Sequence, residues 1–182
     1  MTQHKGLLEK IFRCAESGDI GALEDAFALI KEIEAENSVI VGNEDALALG
    51  VTVYDKENFA FAHEAAKRLR AIASKFVRES GLDVGVDIYK GTLLFDAPYD
   101  LDAAIRYAEF NRDFDKKFYE PRRKQLLPVV KAMQELEERK IHTLGVMMPP
   151  GVGKTTLEIM FMVWSGYRNS RRSILMGSHS NS

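Results

Sequence analysis

The sequence predicts a mixed α and α/β fold. A helical unit fills residues 1–112, and the first βαβ part of an α/β core, truncated, fills 113–182. Three observations predict it: helical spacing of apolar residues over the first 80 positions, a charge change along the chain, and one glycine loop set between an apolar strand pattern and an apolar helix. Residues 1–105 carry 11 Lys and Arg against 19 Asp and Glu, whereas 106–182 carry 14 against 8. An acidic first half and a basic second half suggest two units, with any polyanion meeting the second.

The 182-residue composition, 46% hydrophobic and 29% charged, can bury a core and excludes a disordered or collagen-like chain. A single cysteine, Cys14, cannot build a disulfide framework, which predicts a reducing compartment. No apolar run approaches the roughly 18 residues that span a bilayer, and no signal peptide is evident. The expectation is a cytoplasmic protein without a membrane partner.

The elements follow in order. Leu7, Leu8, Ile11, Cys14 and Ala15 recur at helical spacing, so Cys14 reads as a small core-facing hydrophobe. Ser17-Gly18-Asp19 ends that helix, and Asp19 can cap the next, which carries Ile20, Leu23, Phe27, Ile30 and Ile33 on one face. A third helix runs from about Lys56 to Ser80. It holds Phe59, His63, Ala66, Leu69, Ile72, Ala73, Phe76 and Val77 inside, with Lys67, Arg68, Arg70, Lys75 and Arg78 as exposed charge. His63 has no partner at metal-ligand spacing and reads as structural. Two glycine-punctuated stretches, Val84–Tyr89 and Thr92–Phe95, lean towards strand. The run Leu93-Leu94-Phe95-Asp96 superficially resembles a strand ending in a magnesium-holding acid, but it precedes the phosphate loop, where such an acid normally follows.

The chemistry lies further on. Lys124 to Arg139 has a helical pattern, followed by the short apolar strand pattern Leu144-Gly145-Val146-Met147-Met148. Next come Pro149-Pro150-Gly151-Val152-Gly153-Lys154-Thr155-Thr156, then an apolar helix from Leu157 to Trp164 and a second strand pattern over Ser173-Ile174-Leu175-Met176-Gly177. In that setting Gly151 and Gly153 let the backbone curl its N–H groups towards phosphate oxygens. Lys154 adds a cation on the same oxygens, Thr155 a hydroxyl for Mg²⁺, and the helix N-terminus its positive end.

Met148-Pro149-Pro150-Gly151-Val152-Gly153-Lys154-Thr155-Thr156 resembles the phosphate loop of the large terminase subunit of tailed bacteriophages, whose core is a P-loop ATPase of the ASCE type. Phe118-Tyr119-Glu120-Pro121-Arg122-Arg123-Lys124-Gln125-Leu126 is similar to the adenine-contacting element upstream of that loop, and Ile174 to Ser182 to the second core strand and its turn. The resemblance covers about Phe118 to Ser182. It implies an ATP-driven motor that packages double-stranded DNA into capsids, with ATP and Mg²⁺ as cofactors. The implied partners are the small terminase subunit and the portal, around a homo-oligomeric ring.

By the same resemblance Lys154 is the catalytic lysine, and Pro150, Gly151, Val152, Gly153, Lys154, Thr155 and Thr156 form the cradle. Thr155 holds the metal, Tyr119 stacks on adenine, and Gln125, Arg122 or Arg123 contacts its edge or the phosphates. Gly151 stands where many members carry an arginine finger. Arg168, Arg171 and Arg172 are the candidates for DNA contact. No acid pair and no nuclease follow, so the chain reads as an N-terminal fragment that binds nucleotide without turning it over. The alternatives are a helicase-like P-loop translocase fragment and a non-catalytic helical interaction module with a vestigial loop.

Overall fold

The computed structural model describes residues 2–42, 49–53, 55–80, 83–168 and 173. Among them are seven α-helices, α1 (Thr2–Glu16), α2 (Ile20–Asn37), α3 (Lys56–Ser80), α4 (Asp83–Asp96), α5 (Leu101–Glu109), α6 (Arg123–Glu137) and α7 (Lys154–Arg168), and two 3-10 turns, Phe114–Lys116 and Glu120–Arg122. Two short strands, β1 (Ser38–Gly42) and β2 (Leu49–Val53), form an antiparallel hairpin between α2 and α3, with Ser38 opposite Val53 and Gly42 opposite Leu49.

Local chemistry sets the boundaries. Gly18 adopts φ +101°, a left-handed conformation that costs glycine little, and lets the Asp19 N–H donate to the Cys14 carbonyl, closing α1. The Asp19 carboxylate then accepts from the Ala22 N–H at 3.3 Å and caps α2. Asp100 does the same for α5, accepting from Ala103 at 3.2 Å.

The apolar residues gather in two clusters. In the first, Leu8 and Phe12 of α1, Leu23, Ile30 and Ile33 of α2, Leu69 and Ala73 of α3 and Ile88 of α4 are buried together. In the second, Leu101 and Ile105 of α5 meet Tyr119, Leu126, Val130 and Met133 around α6 and Leu157 and Trp164 of α7. The α4–α5 connection joins them. Across it Trp164 Nε1 donates to the Ala97 carbonyl at 2.7 Å, and the Gln134 side chain donates to the Tyr99 carbonyl and accepts from the Leu101 N–H, both at 3.0 Å.

The fold class expected from the sequence is overturned: the described chain is helical, and no βαβ unit is present among the described residues. Val84–Tyr89 and Thr92–Phe95 are one helix, α4. Their glycines mark close helix approach instead of turns. A Cβ on Gly85 would lie 2.9 Å from Val77 Cγ2 of α3, and one on Gly91 would lie 2.8 Å from the Phe27 ring of α2. Residues 144–148 show the alternation of an extended chain. Leu144, Val146 and Met148 pack on the second cluster, while Gly145 and Met147 face outwards. A strand, however, is defined by hydrogen bonds to a neighbour, and no described residue supplies them. The second strand pattern, Ile174 to Gly177, and Arg171, Arg172 and His179 lie outside the described residues.

Two smaller expectations are also corrected. Cys14 is exposed, because the buried face of α1 is centred on Leu8, Phe12 and Ala15. Arg70 is buried, held by α4: its Nε donates to Thr92 Oγ1 at 3.3 Å, and its Nη2 to the Thr92 carbonyl at 2.7 Å and to the Asp96 carboxylate. Asp96, 1% exposed, also meets His63 Nδ1 at 2.7 Å. A carboxylate ion-paired to arginine only accepts, so His63 carries its proton on Nδ1. The acid that looked like a magnesium ligand is the structural anchor of α3 on α4.

Candidate functional site

The glycine loop lies at the start of α7. Gly151 and Gly153 have φ +81° and +93°, a region that side-chain-bearing residues adopt at a cost, so the sequence places glycine where the backbone curls back. Pro149, Pro150 and Gly151 are exposed, and Val152 is half-buried against the second cluster. α7 begins at Lys154, and the Leu157 N–H donates to the Gly153 carbonyl at 3.1 Å. Gly153 has no side chain to cap the helix. The first-turn N–H groups therefore lack the usual acceptor, and no acidic residue occupies that turn. Lys154, Thr155 and Thr156 are exposed, with no carboxylate at ion-pair distance from Lys154 among the described residues. Unsatisfied N–H groups, a free ammonium and two free hydroxyls make this helix start a place that favours an anion.

The upstream segment packs against the loop. A Cβ on Gly153 would lie 1.9 Å from the Phe118 ring, so ring and backbone touch only because residue 153 is glycine. Arg122 sits over that ring at 5.7 Å from its centre and donates to the Phe118 carbonyl at 3.1 Å. Gln125 is exposed on α6. Tyr119 is 0% exposed, its hydroxyl donating to Asp102 at 2.7 Å. The aromatic face at the loop thus belongs to Phe118.

Two acids hold this segment in place. Glu109, 1% exposed, accepts from the N–H groups of Phe118 and Tyr119, both at 2.9 Å, and from that of Glu120 at 3.3 Å. Asp102 accepts two parallel bonds from Arg123, at 2.7 and 2.8 Å. Burial pushes the Asp102 carboxyl up, but the hydrogen bonds from Arg123 and Tyr119 outweigh it and hold the group below its ordinary value. Burial and then the Asp102 bond push the Tyr119 hydroxyl well above its usual range, so it stays protonated and donating. The bond to Asp102 likewise raises Arg123. Sequence reading missed Glu109 and Asp102. Neither has a motif, since their role is to accept from backbone and side chains brought near by α5.

Among the described residues no group of three or more His, Cys, Asp or Glu side chains could hold a metal ion, and no helix is long and apolar enough to cross a membrane. Arg168 stacks on Trp164 at 4.6 Å instead of standing free. No protein-family profile matches the chain, and neither a curated protein nor a solved structure does.

Proposed function

We propose that residues 149–156 bind the phosphates of ATP, and that the chain is part of a terminase-like large subunit, the ATP-driven motor that packages double-stranded DNA. One observation carries the phosphate reading: two positive-φ glycines lead directly into a helix whose first turn exposes Lys154, Thr155 and Thr156 and holds no acidic residue. The residues fit the group. Lys154 would neutralise phosphate oxygens, the N–H groups around Gly153 would donate to them, and Phe118 offers the aromatic face nearest the loop. Mg²⁺ would neutralise phosphate charge when bound, with Thr155 as its protein ligand and phosphate and water oxygens completing the shell. The motor reading, with the small subunit, the portal and a ring of copies as partners, rests on the motif resemblance alone.

Titration calorimetry with Mg²⁺–ATP tests the phosphate reading. The chain is expected to bind, and Lys154→Ala to weaken binding at least tenfold. Equal binding by both would overturn it.

One observation favours a second reading, a helical interaction module with a vestigial loop: residues 144–148 have no strand partner among the described residues. That reading predicts no nucleotide binding at all.

A further inference from the structure

A second place for an anion lies away from the glycine loop. α3 packs on α2 and α4, and α6 on α5 and α7, so α3 and α6 stand on opposite sides of an open cleft of about 700 Å³. Its two walls are helical rows. Lys67, Ala71, Ser74 and Arg78 line one side, at spacings of four, three and four residues. Leu127, Lys131, Gln134 and Glu138 line the other at the same spacings. Seven cationic and four acidic side chains line the cleft, on a chain whose net charge is −2. The excess of positive charge is therefore local, and low-dielectric walls on both sides focus it.

Three of the four acids are engaged, Glu135 on the α6 wall being the exception. Asp102 holds Arg123, Asp100 caps α5, and Glu138 pairs with Lys140 at 2.6 Å. The α3 wall contributes no acid. Two of the cations are neutralised from outside the cleft, Arg106 by Glu120 at 3.0 Å and Arg70 by Asp96 of α4. Thr92 takes Nε and Nη2 of Arg70, and Asp96 takes Nη2 as well, which fixes the guanidinium plane while Nη1 has no partner among the described residues. Arg123 is held in the same way, by Nε and Nη2 on Asp102. Arg78 and Lys131 have no carboxylate at ion-pair distance among the described residues, and Lys67 reaches only Asp100, at 4.0 Å.

We propose that this cleft binds a small polyphosphate ligand, of nucleotide size and with at least two phosphate groups. The row from Lys67 to Arg78 spans roughly 16 Å at 1.5 Å per residue, longer than one phosphate reaches. Guanidinium groups fixed by a carboxylate behind them match phosphate oxygens with little ordering left to do. The volume is that of a small-molecule pocket. A ligand here bridges α3 and α6, and so ties the two apolar clusters together.

The test uses inorganic tripolyphosphate in calorimetry on the full chain with Lys154→Ala, which removes the ammonium of the glycine loop. The cleft then accounts for one bound tripolyphosphate per chain, weakening steeply between 50 and 200 mM salt, on the order of tenfold or more. Adding Arg78→Glu and Lys131→Glu, both on exposed side chains, is expected to weaken it at least tenfold further, with an unchanged circular dichroism spectrum. Arg78→Gln with Lys131→Gln should act in the same direction and less strongly. Loss of all binding with Lys154→Ala alone, or equal binding with and without the cleft substitutions, would overturn the proposal. Because every arm lacks Lys154, a failure of the cleft is read separately from a failure of the ATP reading.

Discussion

The anchor between α3 and α4 and the start of α7 use similar residue types to opposite ends. At the anchor, Arg70 and Asp96 are buried and paired, and the half-buried His63 meets the same carboxylate through Nδ1. At the start of α7, Lys154, Thr155 and Thr156 are exposed, and the backbone is held in a shape that side-chain-bearing residues resist. The first arrangement stabilises the chain and commits Nε and Nη2 of Arg70 to that role, leaving only Nη1 towards the cleft. The second costs conformational freedom and leaves donors unused. Charge alone does not mark function, since Arg70 and Lys154 look alike in sequence and differ in whether a carboxylate is already in reach.

The largest effect that would break this comparison is at the anchor. Asp96→Ala strands Arg70 without its counter-charge, which is expected to cost about 3–5 kcal/mol. Thermal unfolding would then shift down by roughly 10 °C. An unchanged melting temperature would mean that Arg70 finds another partner.

Next comes Gly153→Ala, where a Cβ meets both a positive φ and the Phe118 ring. A loss of about 1–3 kcal/mol is expected, together with loss of nucleotide binding. Gly151→Ala, with open space around its Cβ, should cost less. Equal costs at the two positions would argue that the Phe118 contact contributes nothing.

A smaller effect is read by pH. Asp102 has its folded value held below the ordinary one, so its contribution is present above about pH 4 and is lost as pH falls through the folded value. The melting temperature should therefore drop with acidification below pH 4, and Asp102→Asn should flatten that drop while lowering stability at pH 7. The same slope in both proteins would remove Asp102 from the account.

The smallest expected change in stability is at Lys154→Ala, within about 0.5 kcal/mol by chemical denaturation. A larger loss would move Lys154 from the free side of the comparison to the structural one.

Much of the helical part was legible in the sequence. The spacing of Leu23, Ile30 and Ile33, the Asp19 cap and the run from Lys56 to Ser80 all depend on neighbours within a few residues. What misled was information that only tertiary contact supplies. Gly85 and Gly91 read as punctuation, yet they are the points where α4 presses on α3 and α2. The alternation of Leu144, Val146 and Met148 is real, but alternation reports an extended chain, not the partner that would make it a strand. At the candidate site, Gly151 and Gly153 were legible as places where the backbone curls, and both take a positive φ ahead of α7. Glu109 did not: a carboxylate that accepts from three backbone N–H groups can sit anywhere the fold brings it.

The most direct test of the central claim is an ¹H–¹⁵N spectrum of the chain titrated with Mg²⁺–ATP, following the amides of Gly151, Gly153, Lys154 and Thr155. Binding at the start of α7 predicts saturable shifts concentrated in those amides and at Phe118, absent in Lys154→Ala. Unmoved loop amides at millimolar nucleotide, or shifts that persist in Lys154→Ala, would contradict it.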